Sequence, residues 1–277
     1  MLSLSSKTKI NLGLKVINKR SDGLHNIVTI FQEVDFGDKI QLKKHKTGCH
    51  IKSNVDWIPL DSSNLCYKAY HILSKKCNRD LGIEIYLEKK VPTGTGIGGG
   101  SANAAATLLA INSIYNLKFD SKELEQIGSS IGADVPFFIN GGTQIGEATG
   151  NKLTPINEKL DAEILLVFPS VPISTKWAYA QIKNKLNSHN SIPKFADLMR
   201  KDFLSFKFFE NDFEKIVIPA YPEIGSIKNK LLDSGAKFAS LSGSGSTVFG
   251  IFDDKAYAKK AASYFHNSHL TILTRPI

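Results

Sequence analysis

Pro92-Thr93-Gly94-Thr95-Gly96-Ile97-Gly98-Gly99-Gly100-Ser101-Ala102-Asn103-Ala104-Ala105-Ala106 is the stretch from which the chain is best read. Glycines let a backbone approach an anion closely and turn its N–H groups inward. The small-residue run that follows, Ser101 to Tyr115, reads as a helix whose first turn adds further N–H donors and the positive end of the dipole. Together these predict a phosphate cradle. A flexible Gly-rich connector before an Ala-rich packing helix is the competing reading, and the stretch alone leaves both open.

Three familiar phosphate motifs nearly fit and fail. Gly94, Gly96 and Gly99 satisfy G-x-G-x-x-G, but the strand before them alternates through Ile83, Ile85, Leu87 and Val91, whereas a central parallel strand is apolar on both faces. A protein kinase needs its glycine loop first; here Asp35-Phe36-Gly37 and Asn78-Arg79-Asp80 precede the glycines. A Walker A loop ends G-K-[ST], and this one ends Gly100-Ser101.

Outward from the loop, β and α patterns are mixed. Ile10, Leu12, Leu14 and Val16 alternate with Lys9, Asn11, Gly13 and Lys15, predicting a half-buried strand. The turn Lys19 to Gly23 leads to a second β run, Ile27–Phe36, with short strands expected near Ile40–Leu42 and His50–Lys52. Leu65, Ala69, Ile72 and Leu73 recur at helical spacing, with caps offered by Asp61-Ser62-Ser63. Asp120-Ser121 caps another helix. Beyond Leu153, Ile164–Phe168 reads as a buried strand and Ser174-Thr175 as a helix start. Helical stretches follow at Phe195–Met199, Phe203–Ile216 and Tyr221–Leu232. Strands at Lys237–Leu241 and Thr247–Phe252 flank Ser242-Gly243-Ser244-Gly245-Ser246, and a helix from Asp253 to His266 precedes a last strand near Leu270–Leu273. Without steady βαβα alternation the class is α+β. The expected boundary near Asn157-Glu158 gives domains 1–157 and 158–277.

Composition bounds the function. With 277 residues, 42% hydrophobic and 22% charged, the chain is globular and not disordered. No apolar run approaches the roughly 18 residues of a membrane span, so no membrane partner is expected. Met1–Lys7 lacks the basic and apolar regions of a leader, and three cysteines without paired spacing fit a reducing, cytoplasmic compartment. The formal net charge of +9 is spread over separate lysine doublets, which favours solvated surface and anionic substrates over nucleic acid. Histidines and cysteines form no zinc spacing.

The glycine stretch resembles the second signature of the GHMP small-molecule kinases. Lys9-Ile10-Asn11-Leu12, Arg20-Ser21-Asp22-Gly23-Leu24-His25, Gly132-Ala133-Asp134-Val135-Pro136-Phe137-Phe138, Asn211-Asp212-Phe213-Glu214 and Leu241-Ser242-Gly243-Ser244-Gly245 match in the family's order and cover nearly the whole chain. The resemblance implies an N-terminal α+β domain of the ribosomal protein S5 domain 2 type and a ferredoxin-like C-terminal domain. It also implies ATP-dependent phosphorylation of the 2-hydroxyl of a cytidine diphosphate-linked methylerythritol, with Mg2+ arriving on the nucleotide and no protein ligand for it named. Another alcohol of the homoserine or mevalonate type, or a non-catalytic nucleotide- or RNA-binding module, are the rival functions.

Residue roles follow from the same resemblance. Asp134 is expected to handle the hydroxyl proton; a helix N-cap before Pro136 is the plain alternative. Lys9 is expected to stabilise charge, although a lysine on a strand's wet face is ordinarily the commoner case. Pro92 to Ala102 and Asn64 are expected to hold ATP, with helix capping the alternative for Asn64. Asn11, His25 and Tyr179 are expected to bind substrate. A plain loop histidine is the alternative for His25, and Trp177 is the alternative for Tyr179. Two departures stand out: Leu24 replaces the family's usual aromatic before the histidine, and Ala102 replaces a frequent serine.

Overall fold

The computed structural model describes residues 1–158, 160–182, 206 and 209–277. The expected helix at Phe195–Met199 and the start of the Phe203–Ile216 stretch lie outside those residues. The chain forms two compact units, one of Met1–Thr8, Phe36–Thr93 and Gly98–Gly141, the other of Lys9–Asp35, Gly94–Ile97 and Gly142–Ile277. Strands β1 (Leu2–Lys19) and β2 (His25–Lys44) pair with each other and run through both.

In the first unit, the end of β2 pairs antiparallel with β4 (Ile83–Glu88), and β3 (Cys49–Ser53) adds to β4 in parallel. β2 is unbroken where two strands were expected. Gly37 lies within it at a point where a Cβ would stand 1.9 Å from the Ser6 carbonyl oxygen, so glycine here permits close strand approach instead of ending the strand. Helix α1 (Leu65–Lys76) buries Cys66, Ala69, Tyr70 and Leu73 along one stripe. Its cap is Asn64, whose Oδ1 accepts the Cys66 N–H at 2.9 Å, and not Asp61–Ser63. Asp61 instead accepts the Ser63 N–H at 2.9 Å and closes the preceding turn. Helix α2 (Gly99–Ile114) buries Ala102 through Leu108 without a break, as an Ala-rich core helix should. Helix α3 (Ser121–Ser129) starts on a capping box between Asp120 and Glu123, and α4 (Phe137–Asn140) is a single turn.

In the second unit, the start of β2 pairs antiparallel with β5 (Thr143–Glu147), and β6 (Lys152–Ile156) continues from β5. These two strands carried no clear sequence signal: β6 is short, largely exposed and contains Pro155, which suits a sheet edge. A second sheet is wholly antiparallel in the order β10 (Leu270–Thr274), β7 (Glu163–Phe168), β9 (Val248–Phe252), β8 (Phe238–Leu241). β7 and β9 are its central strands and are buried at every residue, which explains their continuous apolar runs. Helices α5 (Thr175–Ile182), α6 (Glu214–Ala220) and α7 (Pro222–Asp233) lie between β7 and β8 in sequence, and α8 (Lys255–Phe265) lies between β9 and β10. That succession is the βαββαβ order of a ferredoxin-like domain. Leu165, Val167, Val217, Ile224, Leu231, Val248, Phe252 and Phe265 share its core. α6 begins only at Glu214 because Asn211 accepts the Phe213 N–H at 3.0 Å, a side-chain turn that competes with helix.

Candidate active site

Within the first unit, Gly98 stands before α2 with φ +75° and provides no side-chain cap, so the helix opens on backbone donors with no acid in its first turn. This is the electrostatic form of an anion cradle. Gly99 is held tightly against the segment that precedes the loop: a Cβ there would lie 2.8 Å from Val91 Cγ1. One carboxylate fixes the chain on either side of the glycines. Asp38 Oδ1 accepts the Lys90 and Val91 N–H groups at 2.7 and 2.9 Å. Its Oδ2 accepts Asn103 Nδ2 of α2 at 3.0 Å and pairs with the Lys89 ammonium, both side chains buried. Ala102 is buried, and Ser101 beside it is half-buried.

Asn64 is fully engaged with its own backbone surroundings, accepting from Cys66 and donating Nδ2 to Pro59 O at 2.6 Å. Asp134 is half-buried on the turn that leads into α4. The Val135 N–H donates to Gly132 O at 3.1 Å, and Val135 beneath is wholly buried. The residue in the cap position of α4 is Pro136, and no side chain caps that helix.

Within the second unit, Lys9 and Asn11 project from one face of β1, as period two requires. The strand is not half-buried, however: every residue from Thr8 to Leu14 is buried. Lys9 is only 3% exposed. Its Nζ donates to Asn11 Oδ1 at 2.7 Å and to Gly96 O at 2.8 Å, and its backbone N–H donates to Ile97 O at 3.0 Å. Asn11 Nδ2 donates to Thr29 Oγ1 at 2.8 Å. The first half of the glycine loop, Gly94–Ile97, is thus part of this unit. Gly96 has φ +81°, and a Cβ on it would meet Ser242 O at 2.2 Å. The Ser242 hydroxyl donates to Gly96 O at 3.1 Å, and the Thr247 N–H donates to Thr95 O at 3.1 Å. The Ser242–Ser246 segment and Thr247 after it are therefore hydrogen-bonded to the glycine loop.

His25, buried at the start of β2, stacks on Tyr179 of α5 with ring centroids 4.7 Å apart and planes at 24°. Tyr179 in turn meets Phe213 edge-on at 4.9 Å. Trp177 packs edge-on to Tyr221 at 5.5 Å. Of the two candidate rings it is Tyr179 that reaches the histidine. Leu24 is 56% exposed on the adjoining turn.

Two of the three cysteines are held as thiols. Burial pushes the Cys66 thiol up to about 11 and the Cys49 thiol up to about 12, so neither is a thiolate at neutral pH. Among the described residues, no three His, Cys, Asp or Glu side chains converge where they could hold a metal ion, and no helix is long and apolar enough to cross a membrane.

Comparison with known proteins identifies the family. Residues 64–142 match the GHMP kinases N terminal domain and residues 182–271 the GHMP kinases C terminal domain. The chain belongs to the GHMP kinases. It is 38% identical over 272 residues, 96% of this chain and 94% of the relative, to 4-diphosphocytidyl-2-C-methyl-D-erythritol kinase of Thermodesulfovibrio yellowstonii. The enzyme of the same name from Acetivibrio thermocellus is likewise 38% identical, with 96% and 95% covered. A crystal structure of 4-(cytidine 5'-diphospho)-2C-methyl-D-erythritol kinase superposes with a TM-score of 0.84 at 26% identity, covering 99% of both chains. Mevalonate kinase of Methanococcus jannaschii, at 15% identity and TM-score 0.71, shares the fold.

Several residues that organise this GHMP kinase escape sequence reasoning. Asn211 donates Nδ2 to Leu241 O at 2.7 Å and Gly243 O at 2.8 Å, holding the serine-glycine loop. Glu214 Oε1 accepts the Ser240 hydroxyl and the Leu241 N–H, each at 2.9 Å. Both lie in a matched motif that suggested no role. Asp38 follows an accidental Asp35-Phe36-Gly37, and nothing in its neighbours announces a buried carboxylate.

Proposed function

We propose that this GHMP kinase transfers the γ-phosphoryl group of ATP to the 2-hydroxyl of 4-diphosphocytidyl-2-C-methyl-D-erythritol, a step of non-mevalonate isoprenoid precursor synthesis in the cytoplasm. The observation that carries the reading is identity of 38% across 96% of the chain to relatives of that name. The proposed domain boundary near Asn157-Glu158 falls between the two matched family models.

In this reading the substrate oxygen attacks the γ-phosphorus, the bond to the β-phosphate oxygen breaks, and ADP leaves. Asp134 accepts or orients the hydroxyl proton. The donors at the start of α2, from Gly98 to Ser101, bind the phosphates; Pro92 to Ile97 shape the approach, and Asn64 lies at the adenine. Ala102 offers only backbone, so any hydroxyl contact there falls to Ser101. Lys9 supplies fixed positive charge, which stabilises the transferring group without reorganisation. Asn11 contacts substrate hydroxyls. His25 presents one donor and one acceptor to the cytosine edge, with its ring orientation set by Tyr179. Mg2+ comes with the nucleotide, held by phosphate oxygens and water.

Transfer assays with ATP across the cytidylyl substrate, homoserine and mevalonate test the substrate. Turnover with another alcohol at comparable kcat/KM would overturn it. Asp134→Asn tests the base: turnover should fall by about 10²–10⁴ while both ligands bind within a few-fold of normal.

A further inference from the structure

We infer that Thr29, which lies outside every matched motif, is a positioning residue for Lys9 and acts through the amide of Asn11. The inference rests on the roles just given to those two residues.

Thr29 is wholly buried on β2. Its hydroxyl has one proton to give, and the Gly13 carbonyl oxygen, which only accepts, lies 2.6 Å away. The proton is therefore committed to Gly13. Oγ1 must act as an acceptor toward Asn11, and the atom of Asn11 at 2.8 Å must be the amide nitrogen. That leaves Oδ1 facing Lys9, whose ammonium only donates, at 2.7 Å. Every bond in the run from Lys9 to Asn11 to Thr29 to the Gly13 carbonyl has one permitted direction. The run starts and ends on β1, and Thr29 is its one link from another strand. The Asn11 amide is gripped from both sides, and its carbonyl is a fixed acceptor beside a buried cation. Fixed polar groups around a charge are what electrostatic stabilisation requires.

Valine has the shape of threonine without the hydroxyl. With valine at 29 the Asn11 NH2 loses its acceptor, the amide is free to rotate, and the ammonium loses a fixed partner. The competing account is that Thr29 merely satisfies its own buried hydroxyl, in which case stability would change and catalysis would not.

The test is steady-state kinetics and side-chain NMR on Thr29→Val and Thr29→Ser. Misplacing a catalytic group costs up to about 100-fold, so Thr29→Val should lower kcat by about 10- to 100-fold with the ATP KM within about twofold. Thr29→Ser should recover kcat to within about threefold, because the hydroxyl returns. In an Asn11→Ala background, Thr29→Val should add less than about twofold. The Asn11 side-chain amide protons should exchange slowly in wild type and fast in Thr29→Val. Unchanged kcat in a folded Thr29→Val protein, failure of serine to rescue, or full additivity with Asn11→Ala would each overturn the inference. Lys9→Ala separates the two levels. Normal turnover there removes the reading of Lys9 and this role of Thr29 with it. A dead Lys9→Ala beside an unaltered Thr29→Val removes the role of Thr29 alone.

Discussion

The ring of Tyr179 lies flat on the imidazole of His25, with centroids 4.7 Å apart and planes inclined by 24°. The histidine opens β2 and the tyrosine sits on α5, so the stack joins the first strand pair to the ferredoxin-like part of the same unit. In the proposed function His25 reads the cytosine edge, and directional hydrogen bonds discriminate only if the ring is held still. Tyr179→Ala should raise KM for the cytidylyl substrate by an amount equivalent to about 0.5–1.5 kcal/mol, the worth of one aromatic pair, with KM for ATP unchanged. Trp177→Ala, which loses its packing on Tyr221, should lower thermal stability and leave KM alone. The reverse pattern in Michaelis constants would mean that the wrong ring has been assigned to the substrate.

Gly94 and Gly96 make a controlled pair. Both have positive φ, +70° and +81°, but a Cβ at Gly94 meets nothing within 4 Å, whereas one at Gly96 meets Ser242 O at 2.2 Å and Gly245 O at 2.9 Å. Gly94→Ala should cost only the conformational penalty of about 1–2 kcal/mol. Gly96→Ala must also push two backbone carbonyls aside and break the loop from Ser242, so its cost should exceed that of Gly94→Ala by at least about 2 kcal/mol. Urea denaturation of the two variants gives the comparison directly, and equal costs would refute it.

Asp38 should behave as a structural anchor of the glycine loop. Removing it leaves the buried Lys89 ammonium without its partner and strips an acceptor from Lys90, Val91 and Asn103. Breaking one side of a buried pair typically costs about 3–5 kcal/mol. Asp38→Ala should therefore lose stability on that scale in denaturant titrations. In the fraction that remains folded it should also show a raised KM for ATP, because the chain on both sides of the glycines is no longer tied. A surface-like loss of under about 1 kcal/mol would show that the pair contributes little.

Much of this architecture was legible because each feature is local. The alternation of β1, the helix cap at Asp120, and the glycine run before a small-residue helix all announce themselves within a few residues. What failed to show is long-range. Lys9 and Asn11 look like the wet face of a half-buried strand because their cover, Gly96 and Thr29, comes from elsewhere in the chain. Gly37 looks like a strand end until Ser6 is found against it. The β5–β6 hairpin gave no usable period, since β6 is an exposed edge carrying Pro155. The ferredoxin-like order of the second sheet came from family resemblance, because local pattern places strands and helices without saying which strands are neighbours.

Leu24 offers the sharpest check on the cytosine reading. It is 56% exposed and precedes His25. Its backbone is held on both sides regardless of side chain. The N–H donates to Asp22 Oδ1 at 3.0 Å, and the carbonyl accepts the Arg20 N–H at 2.8 Å. Gly23 before it takes φ +88°, and Arg20 pairs with Asp22 at 2.9 Å. A larger ring at position 24 therefore meets no backbone strain, and Leu24→Tyr should fold with unchanged stability. If cytosine binds beside His25, leucine gives the base an apolar surface without the full stacking attraction of a ring. Leu24→Tyr should then lower KM for the cytidylyl substrate, or at most leave it unchanged, by up to the roughly 1–3 kcal/mol of a stacked base. KM for ATP and kcat should stay where they are, because the phosphate cradle at α2 is untouched. His25→Ala is the companion measurement. It should weaken the preference for cytosine over uracil, since a lost directional hydrogen bond removes discrimination that a flat ring cannot restore. A Leu24→Tyr protein with a raised cytidylyl KM, together with a His25→Ala protein that still prefers cytosine, would place the base away from this turn.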